Sequence, residues 1–139
     1  MLKTKIAVFV SGGGTNFEAL INAQENGKIP HGEIVLMVSS SKTAYALKRA
    51  ENHGIKSVVC SKKELGSQER FEEEILKNLE ENNIQLIVLA GFMSILSKEF
   101  TKKYENRIIN IHPSLIPSFC GEGFYGLHVH EAALKKGVK

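Results

Sequence analysis

The sequence predicts a doubly wound α/β domain, a mostly parallel sheet with helices on both faces. Three observations predict it. Strand and helix patterns alternate along the chain, as crossover connections in a parallel sheet require. The first strand pattern, Ile6-Ala7-Val8-Phe9-Val10, is apolar without interruption, as in strands buried on both faces. The three least ordinary stretches, at 11–16, 90–97 and 110–117, each adjoin the end of a strand pattern. That is where open α/β sheets bind ligands.

The first strand covers 5–10 and leads into Ser11-Gly12-Gly13-Gly14-Thr15-Asn16. A helix comes next with Phe17, Leu20 and Ile21 on one face, and it runs out at Asn26-Gly27. A second strand covers 33–38, a short helix 44–52 is closed by Gly54, and a third strand covers 57–60. The longest helix covers 67–82 and sets Phe71, Ile75, Leu76 and Leu79 inward. Its Glu72-Glu73-Glu74 run reads as a solvated face. A fourth strand at 86–90, a helix at 97–104 capped by Ser97, a fifth strand at 107–111 and a helix at 130–136 complete the series. With a Rossmann-like strand order, strands one and four are neighbours at the switch point. The loops after strands one, four and five then surround one crevice.

Composition bounds the function. With 139 residues, 42% of them hydrophobic, the chain reads as one domain over 1–139 with a real core. A net charge of +3 suits small anions but supplies no clustered basic stripe, so nucleic acid is not expected as a partner. Cys60 and Cys120 have no metal or redox spacing and read as free thiols of a reducing cytosol, hence a cytoplasmic protein. No apolar stretch reaches membrane-spanning length and no signal peptide is visible, so no membrane partner is expected either.

In the loop at 11–16, three consecutive glycines allow a tight turn and a close approach of backbone N–H groups to an anion, beside a helix N-terminus. Thr15 and Asn16 can add side-chain donors. Phe17 stands where the third glycine of a dinucleotide fingerprint would be, and there is no Walker lysine after it, which favours a single phosphate. A plainer reading makes Thr15 and Glu18 a capping box and the glycines a turn. The position of the loop tips the balance towards phosphate.

Past the fourth strand, Gly91 would let the backbone approach a flat ligand, and Phe92, Met93, Ile95 and Leu96 would line an apolar slot. Packing beneath the next helix accounts for some of these residues. The stretch Asn110-Ile111-His112-Pro113 ends the fifth strand. Side-chain alternation puts Asn110 and His112 on one face and Ile109 and Ile111 on the other, while Pro113 and Pro117 stiffen the chain beyond the strand. An amide beside an imidazole can stabilise an oxyanion and move a proton, which suits acyl transfer. No G-x-S-x-G elbow supplies a nucleophile, so direct attack by a bound amine is the natural course. His112, His128 and His130 do not complete a metal ligand set, and no metal is expected.

Together, residues 11–16, AGFMSILS at 90–97 and NIHPSLIP at 110–117 resemble phosphoribosylglycinamide formyltransferase, the folate-dependent family of purine synthesis. The resemblance spans essentially all 139 residues. It implies the formyltransferase fold and formyl transfer from 10-formyltetrahydrofolate, the co-substrate, to the amine of glycinamide ribonucleotide. It implies that Gly14, Thr15 and Asn16 hold the ribonucleotide phosphate and that Met93, Ser94, Ile95 and Leu96 line the folate pocket. Asn110 would orient the formyl oxygen and contact folate, and His112 would donate the proton. Gln68 and Ser94 stand where many members carry basic residues near the folate tail. The family's catalytic aspartate, later strands and final helix correspond to nothing up to Lys139. The chain therefore reads as an N-terminal portion, expected to show little transfer by itself. A non-catalytic phosphate-binding fragment is the alternative. The resemblance gives no oligomeric state.

Overall fold

The computed structural model describes residues 3–111. Five strands, β1 (Thr4–Val10), β2 (Gly32–Ser39), β3 (Lys56–Val59), β4 (Leu86–Leu89) and β5 (Ile108–Asn110), form one sheet in the order β3-β2-β1-β4-β5. Every pairing in it is parallel. The helices are α1 (Thr15–Glu25), α2 (Ala46–Asn52), α3 (Lys62–Leu65), α4 (Gln68–Glu81) and α5 (Lys98–Lys103). The expected doubly wound, Rossmann-like α/β class is what these residues build. Strands β1 and β4 meet at the switch point.

The uninterrupted apolar run of β1 has a simple cause, because both of its faces are covered. Ile6, Val8 and Val10 point into a core with Phe17, Leu20, Ile21 and Ala50 of α1 and α2. Ala7 and Phe9 point into a second core with Phe71, Ile75, Leu79 and Phe100 of α4 and α5. The same parity carries through β5. Ile109 and Ile111 belong to the first core and Ile108 to the second, so the Asn110 side chain emerges on the α5 side. The register of β1 on β2 shifts between Ile6 and Ala7, whose partners are Ile34 and Leu36. Val35 is the extra residue of that bulge and packs towards the second core with Leu36.

Local signals fix the helix starts. The Ser67 hydroxyl accepts from the Arg70 N–H at 3.2 Å, and the Ser97 hydroxyl accepts from the Phe100 N–H at 3.2 Å. The single turn α3, capped by Ser61, is too short to leave a periodic signature in the sequence.

Two expectations are overturned. The acidic run of α4 is not uniformly solvated: Glu73 is exposed, but Glu72 is only 9% exposed. Glu72 flanks Phe71 on the helix's inner face, and donors from elsewhere in the chain satisfy its carboxylate. Thr15 and Glu18 do not form a capping box either. Gly14 is the N-cap, no side chain caps α1, and the Glu18 carboxylate is engaged by α2 and the residue that ends it. The helix expected over 130–136 lies outside the described residues, as do Pro113, Pro117, Cys120 and the histidines at 112, 128 and 130.

Candidate active site

The glycine loop is built from its neighbour as much as from itself. Gly14 has φ +80°, a conformation that side chains rarely adopt, and a Cβ there would lie 2.7 Å from the Cβ of Ala46. Only glycine lets α1 begin this close to α2. Helix α2 then grips two successive carbonyls of the loop. The Ala46 N–H donates to the Gly12 oxygen at 3.3 Å, and Arg49 Nε donates to the Gly13 oxygen at 2.7 Å. In a trans peptide the N–H points opposite to the carbonyl, so the N–H groups of Gly13 and Gly14 turn away from α2. No side chain caps α1, so the N–H groups of Thr15, Asn16 and Phe17, ahead of the first intrahelical bond from Glu18 to Gly14, point towards the loop's open side as an anion would require. Thr15 is exposed there and Asn16 half-buried.

Arg49 is itself held in place. Its Nη1 donates to Glu18 Oε1 at 3.3 Å, and its guanidinium lies 5.0 Å from the centre of the Tyr45 ring. His53 Nε2 meets the other oxygen of Glu18 at 2.7 Å, and His53 Nδ1 meets Glu25 at 3.2 Å. Burial pushes the Glu18 carboxyl up, but His53 and Arg49 outweigh it and hold the group below its ordinary range. The Glu18 hydrogen bond raises the His53 imidazole above its usual value, against the opposing effect of burial. This cluster pins α1 to α2 behind the loop.

Ser11 joins the glycine loop to the loop after β4. Its hydroxyl oxygen accepts from the Met93 N–H at 2.7 Å and lies 2.6 Å from the Ser40 hydroxyl at the end of β2. Just before Met93, Gly91 turns the chain at φ +76°. Phe92 then folds back into the core, edge-on to Phe9 with centroids 5.2 Å apart and stacked on Phe71 at 6.5 Å. Phe92 is thus one of the residues that the core accounts for. The side chains of Met93 and Ile95 stand 82% and 79% exposed.

The remaining residues of that loop form one wall of a cleft of about 280 Å³. Ser94, Ile95 and Leu96 line it together with Leu89, Ile108 and Asn110, while Thr101 and Tyr104, in and just after α5, close it on the far side. The structure therefore brings Asn110 to the same cavity as three of the four loop residues expected to line the folate pocket. Met93 is not in its lining, and Gly14, Thr15 and Asn16 belong to the neighbouring loop. Gln68 sits above the slot with both amide N–H bonds occupied, one on Glu72 at 2.6 Å and one on the Ile95 oxygen at 2.8 Å. It braces the loop, and only its Oε1 is left for a ligand. His112 lies outside the described residues. Sequence reasoning missed Ser11, Arg49 and Glu72 as parts of this arrangement. Their partners lie 25 to 82 residues away, and no local pattern marks such pairs.

Among the described residues, no group of three or more His, Cys, Asp or Glu side chains is placed to hold a metal. No described helix is long and apolar enough to cross a membrane.

Comparison with known proteins agrees with this fold. A family model described as formyl transferase matches residues 4–139. The trifunctional purine biosynthetic protein adenosine-3 of Gallus gallus is 45% identical over 137 residues, covering 99% of this chain and 13% of that protein. The phosphoribosylglycinamide formyltransferase of Haemophilus influenzae is 37% identical over 133 residues, covering 96% of this chain and 60% of that protein. Among solved structures, the phosphoribosylglycinamide formyltransferase of Brucella melitensis superposes with a TM-score of 0.75 at 42% identity, covering 99% of this chain and 68% of that one. Glycinamide ribonucleotide transformylase 1 of Geobacillus kaustophilus gives a TM-score of 0.76 at 36% identity, with 98% and 69% covered.

Proposed function

Since the chain belongs to the formyl transferase family, we propose that it supplies the phosphate loop, folate slot and catalytic amide of a phosphoribosylglycinamide formyltransferase acting in purine biosynthesis. The observation that carries this reading is the shared cleft, which Asn110 lines together with Ser94 and the apolar Ile95 and Leu96. A flat pterin fits between these last three residues and α5, with its formyl group towards Asn110. The ribonucleotide phosphate takes the outward N–H groups of the glycine loop, with Thr15 and Asn16 beside it. Ser11 fixes the spacing of the two loops.

In the reaction, the amine of glycinamide ribonucleotide attacks the formyl carbon of 10-formyltetrahydrofolate. A carbon–nitrogen bond forms, and the carbonyl oxygen becomes an oxyanion to which the Asn110 amide donates. His112 carries a proton from the attacking amine to N10 of the folate. The N10–formyl bond then breaks, releasing tetrahydrofolate and the formylated ribonucleotide. A reducing, cytoplasmic setting accompanies this reading, since Cys60 is a free, buried thiol.

The test is formyl transfer by the native protein carrying this sequence, wild type against Asn110→Ala and His112→Ala. The proposal expects kcat to fall about 100-fold or more for loss of the oxyanion donor. A wild-type protein that binds both substrates without making formylated product overturns it and favours the non-catalytic phosphate binder.

A further inference from the structure

The buried carboxylate of Glu72 takes no part in that chemistry, yet its contacts run directly to the folate slot. Glu72 Oε2 accepts from the Ser97 N–H at 2.6 Å and from Gln68 Nε2 at 2.6 Å, and Glu72 Oε1 accepts from the Ser97 hydroxyl at 2.5 Å. The Ser97 N–H and the Gln68 amide N–H can only donate, and the Ser97 hydroxyl is placed to do the same, so the site suits an ionised carboxylate.

Each donor leads to a wall of the cleft. The same Gln68 amide holds the Ile95 carbonyl, and Ser97 directly follows Leu96, so both ends of the Ile95-Leu96 segment are referred to one carboxylate. Ser97 Oγ also caps the Phe100 N–H, which ties the start of α5, and with it Thr101 of the opposite wall, to the same point.

We propose that Glu72 is a positioning residue for the folate co-substrate, setting the width of the slot through Ser97 and Gln68 without touching the ligand. This rests on the formyltransferase reading above and adds to it a determinant outside the cleft lining. A carboxylate bonded three ways in a buried setting has one good geometry, whereas a loop carrying the exposed side chains of Met93 and Ile95 has many.

The experiment compares native protein with Glu72→Gln, which keeps the size but turns an amide N–H towards donors, and with Ser97→Ala, which removes one donor and keeps the carboxylate. The readouts are KM for 10-formyltetrahydrofolate, KM for glycinamide ribonucleotide, and melting temperature. The expected result is a rise of about tenfold in folate KM for Glu72→Gln and a smaller rise for Ser97→Ala, with ribonucleotide KM within about twofold of wild type. A lower melting temperature with both KM values unmoved, or an equal change in both, makes Glu72 merely structural and overturns the proposal. If Glu72→Gln does not fold, Ser97→Ala alone decides on the same split. A wild-type protein with neither transfer nor folate binding overturns the formyltransferase reading, and this inference falls with it.

Discussion

The main-chain N–H of Met93 donates to the side chain of Ser11 across 2.7 Å, although 82 residues separate them. The bond spans the switch point between β1 and β4 and joins the loop assigned to phosphate with the loop assigned to folate. Ser11 also meets the Ser40 hydroxyl, so one small side chain registers three strand ends.

Replacing Ser11 by alanine leaves the Met93 N–H without its partner. The expected cost is about 1 kcal/mol of stability, measurable by urea unfolding. Because the bond joins two subsites, the KM values for both substrates should rise together, unlike the split expected for Glu72. A variant with unaltered kinetics would show that the loops hold their spacing without it.

Arg49→Gln removes the bond to the Gly13 oxygen and the ion pair with Glu18. The ribonucleotide KM should rise roughly tenfold, in line with the roughly 1.5–3 kcal/mol of a charge-assisted hydrogen bond, and folate KM should stay put. Arg49→Lys keeps the charge but loses the fork that reaches both partners, and it should recover little of the loss. Full recovery by lysine would mean that charge alone matters.

Gly14→Ala should be the most damaging small substitution in the loop. It meets two separate penalties, the positive φ and the 2.7 Å approach to Ala46. Together they should cost about 1–3 kcal/mol, read as a drop in melting temperature. Gly12→Ala and Gly13→Ala, where an added Cβ meets nothing within 4 Å, should be far milder.

The clamp between α1 and α2 should have a stability window. His53 has a raised pKa in the folded state, so its contribution is complete below its unfolded value near 6.5 and is lost as pH rises through the folded value. Glu18 has a lowered pKa, so its contribution is complete above about 4.5 and is lost as pH falls through the folded value. Denaturation of wild type and His53→Gln across pH should show the largest gap between these limits and a shrinking gap on the alkaline side. A gap that widens above neutral pH would contradict the assignment.

The sheet was legible in the sequence because its signal is local. The runs at Ile6–Val10 and Leu86–Leu89 declare burial on two faces wherever they occur, and Ser67 and Ser97 mark helix starts by themselves. The cleft was legible in part, since Ser94, Ile95, Leu96 and Asn110 each stand just past or at a strand end. What escaped were side chains whose meaning comes from a distant partner. Glu72 looks like its exposed neighbour Glu73 until Ser97 arrives from 25 residues away. Glu18 matches a capping pattern, but Arg49 and His53 claim its carboxylate first. Phe92 sits in an apolar loop, and only the fold shows Phe9 and Phe71 waiting for it.

The strand order β3-β2-β1-β4-β5 also sets a schedule for folding. Ile6 finds its β2 partner Ile34 across a single helix, but its other neighbour, Leu86, comes only after one more strand and three more helices have passed. Closing the longer loop costs more chain entropy, and non-local parallel pairing is slow. The half of the sheet made by β1, β2 and β3 can therefore assemble early, glycine loop included. The slot and its Ser11–Met93 tie must wait for β4 to dock, so the two loops at the switch point are completed in two instalments, the glycine loop first.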